Sequence, residues 1–110
     1  REMAVKDELV SFVEKINNNP EHIKDESDKV FQLNLDESGT FQLLLKDGKV
    51  EVVEGTVEEP EVTLSLSDKN LMKLLNDDLN TTMAFMTGGL KVEGKLGLAL
   101  KLQEIVKKYQ

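Results

Sequence analysis

Between residues 29 and 54 the apolar side chains recur at every second position, whereas on either side they recur every three or four, and few folds accommodate that switch. Phe31, Leu33 and Leu35 alternate with Gln32, Asn34 and Asp36; Phe41, Leu43 and Leu45 alternate with Gln42 and Lys46, Leu44 being the exception; Val50 and Val52 alternate with Lys49 and Glu51. A period of two collects the apolar side chains of a strand on one face. Glu37-Ser38-Gly39 and Asp47-Gly48 separate the runs and supply the residues tight hairpins require. The segment is predicted to be a three-stranded meander, buried on one face and wet on the other.

The flanks are helical. Val5, Leu9, Phe12, Val13 and Ile16 form one stripe, and Leu98, Leu102, Ile105, Val106 and Tyr109 repeat the same spacing at the other end. The first stripe stops at Asn19-Pro20, because a residue before proline avoids the helical region. Val62, Leu64 and Leu66 predict a fourth strand. Ser67 then caps a helix carrying Leu71, Leu74 and Leu75, which Asn76-Asp77-Asp78 breaks. A second short helix with Leu79, Met83, Phe85 and Met86 ends at Gly88-Gly89, and Leu90 and Val92 mark a fifth strand.

Strands and helices mix without βαβ alternation, so the expected class is α+β. The expected architecture is a five-stranded, mostly antiparallel sheet covered on one face by helices. A chain of 110 residues has room for one core, so residues 1–110 are read as a single domain. Met3 reads as a natural start, which would make Arg1 and Glu2 vector residues. No signal peptide is read, and Lys108-Tyr109-Gln110 is not a peroxisomal tripeptide, so the expected location is cytoplasmic.

Composition narrows the chemistry. The chain lacks cysteine and has one histidine, His22, which removes thiol catalysis, cysteine zinc sites and multi-histidine metal centres; no metal and no cofactor are expected. No serine sits in a nucleophile elbow, no glycine-rich phosphate loop is present, and no catalytic residue is proposed. Net charge is −7, with residues 1–84 at −10 (9 basic, 19 acidic) and residues 85–110 at +3 (5 basic, 2 acidic). That balance argues against nucleic acid as a partner. The basic C-terminal end allows transient contact with an anionic lipid surface, beside the plainer reading of a solvated helix face. Glu58-Glu59-Pro60-Glu61 reads as an acidic solvated loop.

What remains is the kind of apolar residue. There are seventeen leucines, four methionines and no tryptophan, with residues 71–86 especially rich. Such side chains are flexible enough to repack around a guest, and they equally suit the core of a small domain. On the residues alone both readings stand.

Residues 60–103 resemble the sterol carrier protein, or non-specific lipid-transfer, family. The matching runs are Pro60 to Leu74 and Ala84 to Gln103, with Phe85, Gly88, Leu90, Lys91, Val92, Gly94, Leu98, Ala99, Lys101 and Leu102 on the family pattern. Gly89, where relatives often carry a basic residue, and Lys95, where they often carry Asn or Asp, depart from it. The resemblance implies an apolar lipid tunnel between sheet and helices, and non-covalent binding of a fatty acid, sterol or fatty acyl-CoA by a monomer or weak dimer. The floor of that tunnel is expected from Phe31, Leu33, Leu35, Phe41, Leu43 and Leu45. Its walls are expected from Leu71, Leu74, Leu75, Met83, Phe85 and Met86, and a movable lid from Leu98, Leu102, Ile105 and Val106. Gln103 is the expected polar contact near the tunnel, with Lys101 as an alternative headgroup partner. The competing expectation is a non-catalytic packing or dimerisation module of a larger lipid-metabolising protein.

Overall fold

The computed structural model describes residues 4–110, so the reading of Met3 as a start lies outside the described residues. Helix α1 (Val5–Asn18) buries Val5, Leu9, Phe12, Val13 and Ile16, the stripe the spacing predicts. A single 3-10 turn (Pro20–His22) follows the proline stop. The meander comprises β1 (Lys29–Leu35), β2 (Gly39–Lys46) and β3 (Lys49–Glu54). After β4 (Val62–Leu66) come α2 (Asp68–Leu75) and α3 (Thr81–Thr87), then β5 (Leu90–Gly94) and α4 (Leu96–Lys108). Helix α2 starts as its sequence predicts, the Ser67 hydroxyl accepting the Asn70 N–H at 3.0 Å. Helix α3 ends on Gly88 at φ 88°, a conformation that favours glycine.

The sheet order is β3-β2-β1-β4-β5, with β1 and β4 parallel and every other pair antiparallel. Register fixes the faces. Phe31 sits opposite Leu43 and Val62, and Leu33 opposite Phe41 and Leu64, so one face is an apolar plane. The helices α1, α2 and α4 bury their stripes against it in one continuous core.

The link from β3 to β4 joins parallel strands across β2 and β1 with seven residues and no helix. Such crossovers ordinarily need a dozen or more. Here β3 ends level with Leu33 of β1 and β4 begins level with Phe31, so the chain steps back only two residues. Crossing three inter-strand gaps takes roughly 14 Å, within reach of seven extended residues. The link lies over the polar face, where Gln42 pins it. Its amide donates to Glu58 O (2.8 Å) and Gln32 Oε1 (2.9 Å) and accepts from the N–H groups of Val57 and Glu58 at 3.1 Å each. The acidic run expected as a solvated loop is therefore also a cover, and Gln42 is wholly buried beneath it.

One motif glycine is explained by this packing. Gly94 has φ 101°, and a Cβ there would stand 2.6 Å from Glu61 O, so only glycine lets the end of β5 close on β4.

Candidate functional site

The seam between α1, α4 and the sheet is lined by Phe12, Ile16, Phe31, Leu43, Leu45, Val50, Leu102 and Ile105, all apolar, around a void of about 10 Å³. Small-molecule pockets span roughly 300–1,000 Å³. Helices and sheet here enclose an apolar core around this small void, far below the volume of a lipid tunnel. The cause is the residue type, since leucine and isoleucine from both layers interdigitate and fill the space.

Of the expected floor, Phe31, Leu43 and Leu45 line the void, while Leu33, Leu35 and Phe41 lie on the same buried face beyond it. Leu71, Leu74 and Leu75 are buried in the same core from α2. In α4, Leu102 and Ile105 line the void, Val106 is buried beside them and Leu98 is half-buried. Phe12, Ile16 and Val50 were absent from the expected lining. Their stripe was visible in the sequence, but nothing in it told that α1 and β3 meet α4 over the same strands.

Three expected wall residues lie toward solvent. Met83, Phe85 and Met86 are 58, 42 and 75% exposed. The inward face of α3 is instead Thr81 and Ala84. The Asn80 side chain accepts the Met83 N–H at 2.9 Å and fixes where the helix begins. Helix α3 thus seats by its small residues, and its large ones turn outward. The signal was the Thr-x-x-Ala spacing ahead of Gly88-Gly89.

Gln103 faces α3 rather than the void. Its side-chain oxygen accepts the Thr81 N–H at 3.2 Å, and it lines a surface groove of about 460 Å³ with Asn80, Thr82, Leu100, Glu104 and Lys107. The buried Thr81 hydroxyl beside it is, among the described residues, the one buried side-chain polar atom without a hydrogen-bond partner. Lys101 is engaged elsewhere: its ammonium stands 3.2 Å from Glu26 and 3.8 Å from Glu104. The hydrogen bond to Glu26, with that carboxylate's charge, raises the Lys101 pKa above its ordinary value. Burial pushes the Glu26 carboxyl up, but hydrogen bonds from Lys101 and the buried Lys29 outweigh it and hold the group below its usual range. These contacts tie the 23–28 loop to α4.

Among the described residues no group of three or more His, Asp or Glu side chains is placed to hold a metal ion. Among the same residues no helix is long and apolar enough to cross a membrane.

The fold is that of a two-layer α+β domain, whose sheet carries one apolar face with helices closed over it. The chain belongs to the SCP-2 sterol transfer family, whose model matches residues 9–107. It is 40% identical over 77 residues to hydroxysteroid dehydrogenase-like protein 2 of Xenopus tropicalis, covering 69% of this chain and 18% of that protein. It is 33% identical over 66 residues to sterol carrier protein 2 of Bos taurus, covering 60% of this chain and 12% of that protein. The chain therefore spans less than a fifth of these relatives' length. In fold it resembles palmitated SCP2L2 from Aedes aegypti, with a TM-score of 0.71 at 23% identity over 94% of this chain and 95% of that one.

Proposed function

We propose that this chain is a lipid carrier that holds a fatty acid, sterol or related lipid non-covalently between α1, α4 and the sheet. The observation that carries the reading is the apolar void at that seam, lined without a single polar residue. Family membership and a structural neighbour solved in palmitated form support it. The void is too small to hold a lipid as it stands, so loading requires the helices to part from the sheet. Burying about fifteen methylenes at ~0.8 kcal/mol each supplies roughly 12 kcal/mol gross. Lost motional freedom and the cost of opening offset several kcal/mol of that, leaving micromolar to nanomolar affinity and broad specificity. Flexible leucine side chains and the absence of tryptophan favour linear acyl chains over rigid sterols.

The test is titration of the purified chain with a fluorescent fatty acid, together with solvent extraction and native mass spectrometry. One bound fatty acid per chain is expected. Ile105→Trp, which fills the seam, should weaken binding about tenfold or more, and Leu102→Ala, which enlarges it, should bind at least as tightly. A folded wild-type chain that binds neither fatty acid nor sterol would overturn the reading. In that case the alternative gains: a non-catalytic packing or dimerisation module of a larger lipid-metabolising protein.

A further inference from the structure

The two edges of the sheet are finished differently. At β3 the Asn17 side chain of α1 occupies the edge: its nitrogen donates to Val50 O at 2.8 Å and its oxygen accepts the Val50 N–H at 3.0 Å. At β5 no described residue plays that part. The Asp36 N–H donates to Leu66 O, so in β4 the backbone groups of Leu66 and Leu64 face β1, and those of Ser65 and Thr63 face β5. Ser65 is opposite Lys91 and Thr63 opposite Glu93, which leaves the N–H and C=O of Leu90 and Val92 pointing away from the sheet. Among the described residues these outward groups have no hydrogen-bond partner. The Lys91 and Glu93 side chains are exposed on the polar face, and neither forms an ion pair or a hydrogen bond among the described residues. Asp36 shares a surface depression with Lys91 without pairing to it.

We infer that β5 is a joint between two copies of this chain, paired antiparallel about Val92 so that the sheet runs on from one copy into the other. Charge sets the register. With the two Val92 residues opposite each other and exchanging both backbone hydrogen bonds, Lys91 faces Glu93 of the second copy, and Glu93 faces its Lys91. These are the closely spaced, non-hydrogen-bonded positions, where opposite charges attract most. Centring the pairing on Lys91 or on Glu93 instead sets like charges against each other. A lysine alone on an edge strand keeps copies apart, whereas Lys91-Val92-Glu93 is its own complement. Apolar surface gathers at the same end of the sheet. Among the described residues every exposed large apolar side chain except Val57 lies on α3 or α4, the helices that pack on β5. Five residues of strand make a small contact, so the joint is reversible, with a dissociation constant of about 10 μM to 1 mM. Neither Lys91 nor Glu93 lines the apolar void, so the inference goes beyond the carrier reading and is measured without cargo.

The experiment is sedimentation equilibrium of the full chain at concentrations from about 10 μM to 2 mM, where a monomer–dimer equilibrium is expected. Lys91→Glu and Glu93→Lys should each weaken the dimer about tenfold, since each sets like charges opposite each other at two places. The double variant, Lys91→Glu with Glu93→Lys, should return it to within about threefold of wild type. The single substitutions move the net charge in opposite directions, so overall repulsion between copies cannot weaken both. Both side chains are exposed, so the fold survives the changes, and circular dichroism checks this. In the wild type, hydrogen exchange at the Val92 N–H should slow as the chain is concentrated. A chain that stays monomeric throughout overturns the inference. So does a dimer that both charge reversals leave intact, or one that the double variant fails to restore.

Discussion

The Gln103 side-chain oxygen accepts the backbone N–H of Thr81 at 3.2 Å, so the last helix of the chain holds the first turn of α3 in place. Apart from this bond, α3 seats on two small buried residues. Gln103→Leu should therefore cost about 0.5–1.5 kcal/mol in global stability while loosening α3 far more than the core. Hydrogen exchange across 81–87 should accelerate with the strand amides unchanged; equal protection in wild type and variant would remove this role for Gln103.

Gln42 is the second polar anchor, and its position is more demanding because it is wholly buried. Replacing it with leucine removes three hydrogen bonds to the crossover link and one to Gln32 of β1. A loss of about 2–3 kcal/mol in urea unfolding is expected, with protease cleavage appearing between residues 55 and 61. A Gln42→Leu chain as stable and as resistant as wild type would show that the link holds itself.

Gly94→Ala combines a backbone conformation unfavourable to any side chain with a 2.6 Å approach to Glu61 O. Destabilisation of at least about 2–3 kcal/mol is expected. Gly97→Ala is the contrast: nothing lies within 4 Å of a Cβ there and the residue is inside α4, so a gain of about 0.5–1 kcal/mol follows. Thermal unfolding of the two variants side by side measures both signs.

Acid should weaken the fold through two carboxylates. Burial raises the Asp68 pKa, but the Ser38 hydroxyl and the N–H groups of Glu37, Ser38 and Asp68 itself outweigh it and lower the pKa below the ordinary 3.8. Glu26 is likewise held below 4.5. A group with a lowered folded pKa contributes stability that is full above its unfolded pKa and is lost as pH falls through the folded value. Stability should thus fall below about pH 4, and Asp68→Asn should flatten that limb. At the alkaline end the raised Lys101 pKa has the opposite sign. Its contribution is full below 10.5 and is lost as pH rises past the folded value. Denaturation midpoints across pH for wild type and Asp68→Asn check the first statement; identical acid limbs would refute it.

Much of the fold was legible because strands and helices write their periods directly into the chain. The meander, the fourth and fifth strands, both terminal helices and the Ser67 cap all sit where spacing and turn residues put them. The Leu90-Lys91-Val92-Glu93-Gly94 run pointed to the family, and the structure supplies the reason for its glycine in the closeness of Glu61. The candidate site was legible in part. Phe31, Leu43, Leu45, Leu102 and Ile105 were named from the sequence, and Phe12, Ile16 and Val50 were not. The outward placing of Met83, Phe85 and Met86 was not legible, because seven residues make too few turns for an apolar stripe to declare its face. The family resemblance had them as tunnel walls, and the smaller Thr81 and Ala84 were overlooked.

The sequence by itself determined what depends on near neighbours: which segments are helix or strand, where each begins and stops, and which side of each is apolar. Tertiary structure alone decided what depends on distant neighbours. Register across β1 and β4 set which link could cross in seven residues, and Gln42 became its anchor only once Glu58 lay above it. Seating of α3 by Thr81 and Ala84 turned Met83, Phe85 and Met86 toward solvent, and dense packing of leucine and isoleucine left a void of about 10 Å³ at the seam. Periodicity is a local property of a chain; the distance between two layers, and hence whether a cavity stands open, is set by the volumes of side chains that meet only after folding.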